Sequence, residues 1–411
     1  MKRSLFIFGI LFNILFFSIF KESANSNFVT AFSIIINSVL IFFGLIKQKK
    51  LDINSFIIYL SYLIGIGIIY FDIYCNNIFI LPNSGQDSIS FYNAAISGTY
   101  YTNYSIILHI LYKIFGANRF MFQYFNVFIT VISHIYVLKS LEVLKIDKKI
   151  ITKILLIVCF LPNSLIITSL LLREPYIILF NTISIYYFIR WFNDNKKSYI
   201  ILCSLFVLLS TFWHSLMIVA FIPIVFSALF YDHCKKKNIF TTKTVFLFIF
   251  FLILGLFIYR YANTLFLNKF IGINNFNDIT EQMENYSRGG SQYLNSLANN
   301  KSLLVFILSS PIKYLYFYLS PMPWNIRNIT DIFAFVLCAL PISIILFKSL
   351  ILNKNRTELE KKLCLFILVI GLAHAVSCYN AGAAMRHREK TLPFIIIAYS
   401  LYNNKKKKEV K

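Results

Sequence analysis

Between Lys153 and Arg190 the chain reads ILLIVCFLPNSLIITSLLLREPYIILFNTISIYYFI, residues 154–189, whose only charges are Arg173 and Glu174. A helix needs about 20 apolar residues to cross a bilayer core of about 30 Å. The 36 residues between Lys153 and Arg190 therefore read as two spans of about 18 residues with almost no loop between them. Arg173 and Glu174 must then sit at the tip of a tight helical hairpin, close to the outer edge of the hydrocarbon. Ionisable residues at membrane depth are costly, so the pair is a candidate for function beside the plainer reading of a snorkelling helix end.

The same texture runs along the whole chain of 411 residues. It is 58% hydrophobic, 18% aromatic and 14% charged, with a mean hydropathy of +0.68. An ordinary soluble chain is about 45–50% apolar and about 25% charged, so the composition excludes a soluble enzyme, a disordered protein and a collagen-like one. Apolar runs lie near 4–20, 28–46, 54–71, 120–138, 154–171, 175–191, 199–213, 215–231, 245–262, 331–348, 363–379 and 391–402. The expected fold is all-α: a polytopic transmembrane helical bundle of about 12 spans forming a single membrane domain over 1–411. The start, Met1 to Ser4 followed by an apolar run, reads as a retained first span rather than a cleaved signal peptide, since no small-residue cleavage site follows.

The net charge of +23 would suggest a nucleic-acid partner on a soluble protein. Here it does not, because Lys and Arg sort by loop, as expected when basic residues are retained on the cytoplasmic side. With the N terminus inside, 27 of the 40 basic residues fall in cytoplasmic connections and 13 outside. Both termini are then cytoplasmic, and the basic tail 403–411 is a stop that touches anionic membrane lipids. This arrangement makes Ser302 to Ser320, with Pro311 and Lys313, a re-entrant or interfacial segment. It leaves two larger external loops, 72–119 and 263–330, where function is expected.

Seven cysteines are scattered through apolar runs with no CxxC pair, and read as packing residues. No GxGxxG or GxxxxGK[ST] loop is present, so no nucleotide cofactor is expected. No HxxE, HExxH or DxD pattern marks the external face, and His214 and His374 read as packing histidines, so no metal is expected either.

Three further segments carry candidates. Twelve residues separate Lys390 from Asn403, a helix of about 18 Å against a core of about 30 Å. The last span should therefore extend back through Lys390 to about Met385, which brings Arg386, His387, Arg388 and Lys390 to membrane depth. A phosphate-bearing lipid is the anion that such a cluster fits, with Arg giving bidentate contacts and Lys a point charge. Asp87, in the first external loop, reads as a helix cap or as a general base toward a sugar hydroxyl. In the second loop, Tyr286 and Arg288 precede a Gly pair and read as a mobile substrate loop, with Trp324 farther on.

Taken together, Asp87, the Arg173-Glu174 pair, Pro321-Met322-Pro323-Trp324 and the Arg386 to Lys390 cluster resemble the multi-spanning GT-C glycosyltransferases and the Wzy-type O-antigen or capsule repeat-unit polymerases. The resemblance covers the layout; a second carboxylate beside Asp87, frequent in GT-C enzymes, is absent. It implies a GT-C-like bundle in the bacterial cytoplasmic membrane and transfer of sugars from undecaprenyl-linked sugars or oligosaccharides, with other polysaccharide-assembly proteins as partners. It also implies phosphate binding by Arg386 and Arg388 and catalysis by Asp87, with Glu174 as the other candidate base. A single-sugar transferase and a lipid-linked glycan flippase stay open beside the polymerase.

Overall fold

The computed structural model describes Leu11 and residues 26–46, 52–75, 86–99, 102–261, 293–294, 303–378 and 380–409. These residues are predominantly helical. Among them, strand is confined to the antiparallel pairing of Tyr231–Asp232 with Lys237–Asn238.

Among the described residues, three helices are long and apolar enough to cross a membrane: Ile53–Ile73, Arg119–Val143 and Ile329–Leu352. Lys148–Phe160 with Pro162–Ser169 makes a fourth if the pair is one span, bent by 52°. Pro162 accounts for the bend, because it lacks an N–H and its ring crowds the preceding turn. Shorter apolar helices, Thr30–Phe42, Lys197–Trp213, Ser215–Phe230 and Thr242–Phe251, fall where the sequence placed other spans. The run 4–20, except Leu11, lies outside the described residues, as do Tyr286 and Arg288.

The stretch 154–189 therefore departs from two equal spans. Its first half is broken at Pro162, and Glu174 opens a helix that continues past Arg190 to Asp194. Arg173 and Glu174 do lie at the junction between helices, but both are buried rather than snorkelling. Asn126 Nδ2 secures that junction by donating to the carbonyls of Leu170 and Leu172, at 2.6 and 3.0 Å.

The chain divides into two compact units, residues 1–138 with 151–179, and 139–150 with 180–411. In the first, Ser26–Ile46 packs on Ile53–Tyr70, and Gln86–Ser97 packs against Asn103–Phe115. The Asn103–Phe115 helix opens on a Thr102–Ser105 capping box and closes on Gly116, whose φ of 84° suits glycine. Tyr62 ties three helices of this unit together through Ser38 Oγ at 3.1 Å and Tyr124 Oη at 3.0 Å.

The second unit is built around Glu358–Val376. The sequence Thr357-Glu-Leu-Glu360 starts this helix as a capping box, with Glu360 Oε2 accepting from Thr357 N at 2.7 Å. Leu363, Phe366, Ile367 and Ile370 then follow at helical spacing and are buried. The helix packs on Ser310–Leu319, Ala381–Arg388 and Leu392–Glu409. Gly371 permits the close approach of Ser310–Leu319: a Cβ there would lie 2.6 Å from Tyr318 Oη and 2.7 Å from Tyr314.

The end of the chain also departs from expectation. Instead of one helix reaching back to Met385, a short helix, Ala381–Arg388, is followed by turns at 389–391 and a new helix, Leu392–Glu409. Pro393 supplies the reason, since proline disfavours helical backbone at the preceding residue and is tolerated in a first turn. Thr391 Oγ1 donates to the Arg388 carbonyl at 2.7 Å, and Asn181 Nδ2 to that of Lys390 at 2.8 Å, which satisfies the backbone at the break. The basic tail continues this helix rather than trailing free: Lys407 pairs with Asp147 at 2.6 Å.

Candidate functional site

The segment Asn380 to Thr391 concentrates the chemistry of the second unit. Asn380 caps its short helix by accepting from the N–H groups of Gly382 and Ala383 at 2.9 and 3.3 Å. Seven to ten residues on come His387, Arg388, Glu389 and Lys390, of which the last three are fully buried.

Arg388 is held from one side only. Its Nη1 donates to the carbonyls of Tyr318 and Ser320, at 3.0 and 2.7 Å, just before the cis Ser320–Pro321 bond. Its Nε and Nη2, which form the other edge of the guanidinium, are buried with no hydrogen-bond partner among the described residues. That edge is a two-donor fork matched to an oxyanion. Leaving such donors unsatisfied in a buried place is costly, and an oxyanion placed at this edge would offset that cost.

On the same elements, Lys390 Nζ lies 2.7 Å from His387 Nδ1, and Lys313 is buried. Phe317, one turn beyond Lys313, stacks on His374 at 6.0 Å between ring centroids. His374 in turn faces His387 and His214. Tertiary folding brings three imidazoles together, a meeting that the sequence reading of His214 and His374 one at a time did not contain. Arg386 is half-buried on the same helix as His387.

A line of aromatic contacts joins Tyr293, Tyr316 and Trp324. Tyr293 donates to the Cys378 carbonyl at 3.1 Å, its ring lies 5.1 Å from Tyr316, and Tyr316 Oη accepts from Trp324 Nε1 at 2.9 Å. Trp324 is 69% exposed, a surface suited to stacking on a sugar ring.

Asp87, Arg173 and Glu174 belong to the first unit. Asp87 is exposed in the first turn of Gln86–Ser97. Next to it, Ser88 accepts from Arg119 Nη2 at 3.3 Å, and the same nitrogen donates to Asp72 at 2.7 Å. Gln123 adds a bond to that Asp72 oxygen at 2.8 Å. Asp72 is 1% exposed, so the buried carboxylate near the start of this helix is Asp72, not Asp87. The sequence reading missed it because nothing near Asp72 along the chain announces Arg119, 47 residues away. Glu174 is buried at the first position of its helix, where the helix dipole favours a negative charge.

No protein family, no curated protein and no solved structure matches this chain.

Proposed function

We propose that this chain is a polytopic membrane glycosyltransferase that extends lipid-linked glycans, of the polymerase kind, at the external face of a bacterial cytoplasmic membrane. The proposal includes about twelve spans with both termini cytoplasmic. A single observation carries it: a buried arginine clamped through Nη1, with its Nε–Nη2 edge turned away from any protein acceptor among the described residues.

In the reaction, an acceptor hydroxyl attacks the anomeric carbon of a sugar on polyprenyl diphosphate. The carbon–oxygen bond to the diphosphate breaks, and its electron pair leaves on the phosphate oxygen. Arg388 meets that developing charge with two N–H donors, and Lys390 and Arg386 add positive potential. A carboxylate takes the acceptor proton. Trp324 and Tyr316 provide a stacking face for the sugars. The reaction needs no nucleotide, in keeping with a sequence that has no nucleotide loop.

The test is extension of a lipid-linked glycan by membranes that carry the protein or its variants. Arg388→Lys keeps the charge and removes the fork, and is expected to lower the rate by about 100-fold or more, the scale of losing an oxyanion donor. Arg386→Ala should give a smaller loss. Full extension by both variants, at wild-type protein levels, overturns the proposal.

A further inference from the structure

Three imidazoles of the second unit converge from distant parts of the chain. His214 closes the helix Lys197–Trp213, His374 lies in the last turn of Glu358–Val376, and His387 belongs to Ala381–Arg388. Their ring centroids are 5.2 Å apart for His214 and His374, 5.3 Å for His214 and His387, and 5.2 Å for His374 and His387. One donor nitrogen from each ring lies within 4.8 Å of the other two.

That triangle can be compared with a metal centre. Tetrahedral zinc holds imidazole nitrogens at about 2.0–2.1 Å, which puts each ring centroid about 3.2 Å from the ion and the centroids about 5.2 Å from one another. The three rings already stand at this separation. Their donor nitrogens, now within 4.8 Å of one another, would need to close to about 3.3 Å around a tetrahedral ion.

We propose that His214, His374 and His387 form a binding site for one divalent transition-metal ion, with zinc the best match for three imidazole ligands. Three protein ligands leave the fourth position open, as in zinc sites that bind water or substrate rather than purely structural ones. His374 is buried against Phe317, while His214 and His387 are half-buried, so the site is reachable from outside the core. Arg386, Arg388 and Lys390 on the same segment disfavour a bare dication. The fourth ligand is therefore expected to be an anion: hydroxide, chloride or a phosphate oxygen. The inference rests on ring geometry, shares His387 with the proposed phosphate cluster, and is tested without glycan transfer.

The experiment uses full-length protein in detergent, stripped with a chelator and titrated with cobalt(II) in chloride buffer, with no glycan present. The expected result is one cobalt per chain with the intense visible bands of a four-coordinate site. His214→Ala, His374→Ala and His387→Ala should each abolish those bands. His109→Ala should keep them, because His109 lies in the first unit on the carbonyl of Ala95. Wild-type protein that takes up no cobalt overturns the inference whatever the variants do, as do bands that survive all three substitutions. Since glycan extension is not the readout, failure here leaves the transfer reading to its own test.

Discussion

At the scale of single residues, backbone carbonyls can aim a buried charged side chain. Arg388 is the clearest case. Two carbonyls fix one end of its guanidinium, so its remaining donors are aimed before any ligand arrives, and a preorganised donor costs no reorganisation when charge develops. The clamp depends on where Ser310–Leu319 sits, and that depends on Gly371. Replacing Gly371 with Ala would push a methyl group into Tyr318 and Tyr314. The expected cost is about 1–3 kcal/mol, typical of overpacking. It is measured as a lowered melting temperature in detergent, together with reduced glycan extension.

At the scale of elements, the junctions are set by local chemistry. Thr357 and Glu360 start the central helix of the second unit, and Thr357→Ala is expected to cost about 1 kcal/mol, the usual value of a lost cap, read as a lower melting temperature. The last helix is fastened at its far end by Asp147 and Lys407. The hydrogen bond from Lys407 holds the Asp147 carboxyl below its ordinary value, with backbone N–H donors adding to the effect. A depressed folded-state value stabilises above the ordinary aspartate pKa of about 3.9, and that stabilisation is lost as pH falls through the lowered value. Asp147→Asn should therefore melt below wild type at neutral pH, and the gap should close on acidification past that point. A gap that stays constant with pH would remove Lys407 as the cause.

At the scale of the whole molecule, the sorting of basic residues predicts sidedness that chemistry can read. Of the six cysteines whose side chains are described, Cys234 is the exposed one, in the basic turn between Tyr231–Asp232 and Lys237–Asn238, while Cys159, Cys203, Cys338 and Cys378 are buried. In a Cys75→Ser background, a membrane-impermeant thiol reagent is expected to label Cys234 in inverted vesicles and not in intact cells. Labelling in intact cells would reverse the assigned orientation.

The helical class and the apolar character were legible from the chain alone, because hydropathy is a sum over neighbours in sequence and bilayer thickness sets how many are needed. So was the charge density of the segment from Arg386 to Lys390, where the structure buries Arg388, Glu389 and Lys390. Its geometry was not legible in full: Pro393 could have announced the break before the last helix, but the bonds from Thr391 and Asn181 that hold the break open depend on folding. The pairing of Asp72 with Arg119 and the meeting of His214, His374 and His387 had no local signal at all. Each partner reads as an isolated polar residue on an apolar stretch until helices far apart in the chain pack together. Sequence determined which residues were costly to place among apolar neighbours; only the packing of helices decided which of those residues share that cost, because hydrogen bonds and ring contacts require atoms within a few ångströms in space.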